Sequence, residues 1–249
     1  MLRVLIVTSG FILSLWTSPV WACEVNKQII GAKYRITTQT INSDNTTTKL
    51  LYLWRNNNKV AHQYPKTHIT EIWEKTSNGM LRLVRYFDKY KRGIEYQPNE
   101  INHGKGQKDW SLNSQLVSDK LLNTMKLTPS MRKGCDKQTS YSMAQKEQNI
   151  TMQWLPALNL IKYFEQSDTK HTTKWELIET ISDKNNIANV FSSRENYQTT
   201  DYIDIGDNES DPFLLSMIRL GFVEHGANGF YDAQGNQLND SSHKRHQHH

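Results

Sequence analysis

Asn78-Gly79 stands between two runs that alternate apolar and polar residues, Ile69–Lys75 and Met80–Phe87. Asn-Gly between alternating runs is the strongest short hairpin signal a sequence carries, because Asn and Gly tolerate the positive φ that tight turns call for. The same grammar extends on both sides. Tyr34, Ile36 and Thr38 alternate with Arg35 and Thr37; Leu50–Trp54 is a short strand, Asn56-Asn57-Asn58 a turn, and Lys59–Tyr64 a returning strand ended by Pro65. Ile94–Tyr96 adds another strand, closed by Pro98. Residues 34–98 therefore predict antiparallel β structure with one apolar face and one solvated face carrying Lys59, Glu71, Arg82 and Arg85.

Beyond a polar loop at 99–109, Ser111 is placed to cap a helix from Leu112 to about Met125, with Leu112, Leu116, Val117, Leu121 and Met125 near helical spacing. Thr128-Pro129 stops it. A second β block follows: a hairpin of Thr139–Met143 with Ile150–Trp154, then strands within Ala157–Phe164 and Lys174–Ile181. Asp183–Phe191 reads equally as a short helix or a loop. No Pro/Gly/Ser-rich linker divides residues 23–235, so one α+β domain is expected, a curved antiparallel sheet with a few packed helices.

The chain opens with Arg3, a mostly apolar run from Val4 to Trp16, and Val20-Trp21-Ala22, the layout of a secretory signal over residues 1–22. The run is short for a membrane span, which takes roughly 20 apolar residues. Cleavage after Ala22 exposes Cys23. With Cys135 it makes an even pair, which in an exported chain suggests one disulfide. Val20-Trp21-Ala22-Cys23 also resembles a lipobox, in which Cys23 would be acylated and anchor the protein; plain secretion is the further option. The net charge of +5 is dispersed among Asn, Gln and Thr, without a basic run or zinc-finger spacing, so nucleic acid is not an expected partner.

The densest chemistry is Asp201–Asp211, with five carboxylates in eleven positions. Hard cations take several carboxylate oxygens, so Asp204, Asp207 and Glu209 are candidate metal ligands. The spacing fails the calcium-loop pattern: counted from Asp207, Pro212 and Ile218 fall where Gly and Glu are required. The structural alternative is a helix entry, with Asp211 as N-cap, Pro212 at the first helical position and Gly221 as the stop. His243, His246, His248 and His249 crowd a polar terminal stretch, 236–249, expected to be disordered and able to bind divalent metal.

The catalytic signatures of serine hydrolases, zinc peptidases, phosphate-binding loops and dinucleotide folds are missing, so no catalytic residue is assigned. Glu71 with Glu74, or Asp204 with Glu209, remain carboxylate pairs that glycoside chemistry could use. Trp54, Trp73, Trp154 and Trp175 are candidates for an apolar ligand cavity on a concave sheet face.

The order of elements from Tyr34 to Asp204 resembles the periplasmic lipoprotein-carrier half-barrels, which hold acyl chains in a curved sheet. The ending Tyr197–Phe213, with D-Y-x-D-I-G-D-N-E-x-D-P-F, is similar to that of uncharacterised exported proteobacterial proteins, and implies no function. The signal, the antiparallel sheet and the missing catalytic motifs together point to a non-catalytic periplasmic binding or carrier protein for a lipid-like ligand. The alternative is a periplasmic metal-binding or delivery protein using the 201–211 loop and the histidine tail, with a divalent metal as its cofactor.

Overall fold

The computed structural model describes residues 26–101, 109–128, 137–145, 148–208 and 210–219. The signal segment, Cys23, Cys135, Glu209 and the four tail histidines lie outside the described residues.

Six strands come first: β1 (Ile29–Thr40), β2 (Thr46–Asn56), β3 (Lys59–Tyr64), β4 (Ile69–Lys75), β5 (Leu81–Phe87) and β6 (Arg92–Tyr96). Two short helices follow, α1 (Trp110–Gln115) and α2 (Asp119–Thr124). Then come β7 (Lys126–Thr128), β8 (Thr139–Gln145), β9 (Gln148–Leu155), β10 (Leu160–Ser167) and β11 (His171–Ile181). The chain continues with α3 (Lys184–Ser192), β12 (Gln198–Asp201), a 3₁₀ helix over Tyr202–Asn208, and α4 (Pro212–Arg219).

The twelve strands of the described residues form one curved sheet in the order β12-β6-β5-β4-β3-β2-β1-β11-β10-β9-β8-β7. The first six run as a meander in one direction from β1, and β7–β11 as a second meander in the other. The halves join where β1 pairs antiparallel with β11, Thr40 opposite His171 and Gly31 opposite Ile181. Only β12 runs parallel to its neighbour, β6. The expected α+β class with a half-barrel-like sheet is what the chain forms.

Alternation decides the two faces. Tyr34, Leu51, Leu53, Val60, Trp73, Leu83 and Ile94 share one face and form the main core with Leu116, Val117 and Met125 of the α1–α2 region and with Ile205, Leu214 and Met217. On the opposite face, Ile187, Val190 and Phe191 of α3 cover Trp54 and Ala61. Gly31 is required there. It lies opposite Trp54 in the β1–β2 ladder, and a Cβ at this position would stand 2.6 Å from the indole ring.

Two sequence expectations are corrected. The single helix from Leu112 to Met125 is two helices. Asp109, not Ser111, accepts the Leu112 amide at the start of α1, and Leu116 turns left-handed at φ 66° to end it. Ser118 then accepts the Leu121 amide at 3.0 Å to begin α2. Glu71 and Arg85, expected on the solvated face, are fully buried on the apolar one, while Arg82 and Lys59 keep the other. The undecided segment after Asp183 is helical, because Asp183 Oδ1 accepts from the amides of Asn185 and Asn186.

Candidate functional site

The inward rows of β9, β10 and β11 build one wall of an apolar pocket. Trp175 pairs with Phe164, and Phe164 with Met152. One step along, Thr173 pairs with Gln166, Gln166 with Ile150, and Ile150 with Met143 of β8. A bulge at Lys162 shifts the β9–β10 register. Ile161 and Phe164 are three residues apart, which strict alternation would send to opposite faces; the extra residue puts both on this wall. Trp175 is held edge-on between Phe164, at 5.9 Å, and Tyr34, at 6.4 Å.

The facing wall comes from α1, α2 and the turn between them. Leu112 and Leu116 are four residues apart, one helical turn, and Val117, Ser118 and Leu121 continue the lining. The left-handed Leu116 directs the chain into α2 so that both helices face the same space. The pocket, partly open to solvent, has a volume of about 350 Å³, within the range of roughly 300–1,000 Å³ usual for small-molecule pockets. The polar lining residues are Ser118, Gln148, Gln166 and Thr173, and no charged side chain stands among the described lining residues.

Beside this pocket, three polar side chains are buried in a row across the same sheet face. His62 pairs with Glu71, and Glu71 with Arg85. Arg85 donates from Nε and Nη2 to Glu71 Oε1, both at 2.9 Å. Burial pushes the Glu71 carboxyl up while Arg85 pulls it down, and burial has the larger effect. His62 Nε2 lies 2.7 Å from the Asn113 carbonyl and ties β3 to α1; burial lowers its pKa to about 4.

The candidate tryptophans separate by face and depth. Trp175 lines the pocket. Trp73 and Trp154 are buried in the main core and do not line the pocket, Trp154 lying opposite the lining residue Ile161, and Trp54 is on the opposite face, stacked on Tyr52 at 5.7 Å beneath α3. Trp54 occupies an even position of β2, and Leu51 and Leu53 occupy the inward ones. The lining residues Gln148, Gln166 and Thr173 were not anticipated from sequence. Their signal was parity, two residues from Ile150, Phe164 and Trp175 respectively.

The Glu71–Glu74 pair does not assemble. Glu71 and Glu74 are an odd number of residues apart on one strand and face opposite ways, Glu74 lying 3.9 Å from Arg82. Asp204 and Asp207 sit exposed on the 3₁₀ helix, and Glu209 is outside the described residues. Among the described residues, no group of three or more His, Cys, Asp or Glu could hold a metal ion. Asp204 instead borders an open polar cleft with Asp201, Arg92 and Asp211.

Asp211 has a structural task. It accepts the Phe213 amide at 2.8 Å and pairs with Arg92 at 2.8 Å, and Arg92 above all holds its carboxyl below the usual range. Arg92 also lies over the Phe213 ring at 4.8 Å. Asp211→Ala is expected to cost about 1 kcal/mol, the usual worth of an N-cap. Urea unfolding of this variant should match that of Asp211→Asn within a few tenths of a kcal/mol only if the cap contributes nothing.

No family model matches the chain. No curated protein matches it either. Among solved structures it is similar to PNGF-II, with a TM-score of 0.34 and 11% identity over 72% of this chain and 32% of that one. It thus spans about a third of the PNGF-II chain. It is also similar to a putative outer membrane lipoprotein-sorting protein domain from Vibrio parahaemolyticus, with a TM-score of 0.32, 10% identity, and coverage of 66% and 92%. A LolA superfamily protein from Nitrosomonas europaea gives 0.30 and 4%, with coverage of 62% and 86%. TM-scores this low fix neither a ligand nor a function. No helix of the described residues is long and apolar enough to cross a membrane.

Proposed function

We propose that the protein is a non-catalytic binding or carrier protein for an apolar, lipid-like ligand. The observation that carries this reading is the pocket between α1–α2 and β8–β11, walled by Leu112, Leu116, Val117, Leu121, Ile150 and Trp175 with no charged group among its described residues. Burying apolar ligand surface there gains about 25 cal/mol per Å² removed from water. On this reading residues 1–22 are removed on export, residues 23–235 form one domain, and the mature chain works in the periplasm.

The test is a titration of purified mature protein with a fluorescent fatty-chain probe. Saturable binding is expected. Leu121→Trp, at a half-buried position, places an indole in the space and should weaken binding about tenfold or more, a loss of roughly 1.4 kcal/mol or greater. Its circular dichroism and unfolding midpoint should stay near those of the parent. Probe binding that does not saturate, or that is indifferent to Leu121→Trp, sinks the reading.

A further inference from the structure

We infer that the pocket selects amphiphiles whose polar group is uncharged and both donates and accepts hydrogen bonds. This rests on the apolar-ligand reading and narrows it to a ligand class: a chain ending in a hydroxyl, amide or glyceryl ester.

The four polar lining residues divide into two pairs. Ser118 and Thr173 are already engaged. Ser118 Oγ accepts the Leu121 amide at 3.0 Å, and Thr173 Oγ1 shares a hydrogen bond with Thr38 Oγ1 at 3.2 Å. Gln148 and Gln166 are not. Their side-chain amides make no hydrogen bond among the described residues, although both are half-buried on the pocket wall. Gln166 lies opposite Ile150 in the β9–β10 ladder, and Gln148 is two residues from Ile150 on the same face. The two glutamines are thus diagonal neighbours, separated by about 7–8 Å at Cα, within reach of side chains of this length. Each offers one carbonyl acceptor and two N–H donors. Together they can close on a single polar group that presents both a donor and an acceptor.

A charged head group is disfavoured by what the wall lacks. No Lys, Arg, Asp or Glu among the described lining residues could compensate it. Taking an ion out of water without a partner costs several kcal/mol, whereas a hydroxyl or amide recovers its cost through the hydrogen bonds it makes.

The experiment compares probes of equal chain length below their micellar concentrations: monolauroylglycerol, dodecanamide, dodecanoate and dodecylammonium, each displacing a fluorescent apolar dye at pH 7.5. The two neutral probes are expected to bind at least about tenfold more tightly than either ion. Gln148→Leu and Gln166→Leu should each weaken the neutral probes about fivefold, in line with one lost hydrogen bond. Both positions are half-buried on strands, so leucine is tolerated; unfolding midpoints check this. Gln166→Lys supplies a countercharge and should move the preference towards dodecanoate. Dodecanoate or dodecylammonium binding as tightly as monolauroylglycerol overturns the selectivity while leaving an apolar pocket standing. A dye that itself fails to bind saturably overturns the apolar-ligand reading, and the selectivity with it; a bound dye that none of the four probes displaces overturns the selectivity.

Discussion

Arg85→Met is expected to lower the free energy of unfolding by about 3–5 kcal/mol at pH 7, the usual cost of removing one partner from a buried ion pair. Glu71 is 0% exposed and Arg85 1%. Two Arg85 guanidinium nitrogens, Nε and Nη2, meet Glu71 Oε1, Nη1 donates to the Tyr96 hydroxyl at 3.4 Å, and Glu71 Oε2 has no hydrogen-bond partner among the described residues. Arg85 is further held over the Tyr96 ring at 5.5 Å. Methionine fills the volume but strands the carboxylate in the core, where it must either remain charged or bind a proton. The double variant Glu71→Leu with Arg85→Met removes both charges and should unfold within about 1 kcal/mol of the parent, since well-packed apolar replacements of buried pairs are often neutral or stabilising. The deficit of the single variant should also shrink on acidification. With Arg85 gone, burial alone acts on Glu71 and raises its folded pKa, so stability is lost as pH rises and regained as it falls. Urea unfolding across pH measures all of this. A double variant as unstable as Arg85→Met, or a single variant within 1 kcal/mol of the parent, would show that the pair is not a coupled unit.

That pair also marks where the sequence could have been read further. Leu81, Leu83, Arg85 and Phe87 share one parity, as do Ile69, Glu71 and Trp73, so strict alternation already places Arg85 and Glu71 inside. Residue chemistry outweighed position in the expectation that they were solvated. Hairpins were legible because their signals are local: Asn57 takes φ 56° and Gly79 φ 79°. The β1–β11 seam was not, because its partners lie between 131 residues apart (Thr40 and His171) and 150 apart (Gly31 and Ile181), and alternation does not name a partner strand. The break at Leu116 carries no glycine or proline to announce it. β12 is the four polar residues Gln-Thr-Thr-Asp, without an apolar face to betray a strand. The candidate cavity was inferred from tryptophan as a residue type; side-chain direction removes Trp54, core packing takes up Trp73 and Trp154, and Trp175 is left on the wall. The helical face of Leu112, Leu116 and Leu121 was the better guide to the site.

The second large effect belongs to His62. It is fully buried, and its Nε2–H donates to the Asn113 carbonyl at 2.7 Å. Charged groups near it are Glu71, its partner across the ladder on β4, and Arg85 beyond it on β5, while α1 buries uncharged Asn113 and Gln115. Burial lowers the folded pKa from 6.5 to about 4, and the bond to Asn113 opposes this only in part. The unfolded chain therefore binds a proton at a higher pH than the folded one. The contribution is present in full above pH 6.5, declines as pH falls through the window to 4, and is flat below it. A shift of this size is worth about 3 kcal/mol, at roughly 1.4 kcal/mol per unit. Other groups titrate in the same window, Glu71 in the opposite sense, so the quantity to measure is the difference between the parent and His62→Gln, which keeps a donor for Asn113 but cannot titrate. That difference should fall by about 3 kcal/mol between pH 7 and pH 4. NMR should show the His62 ring titrating near 4 in the folded protein. A ring that titrates near 6.5, or a difference unchanged across the window, would mean that protonation does not compete with the β3–α1 tie and that His62 is reached by water.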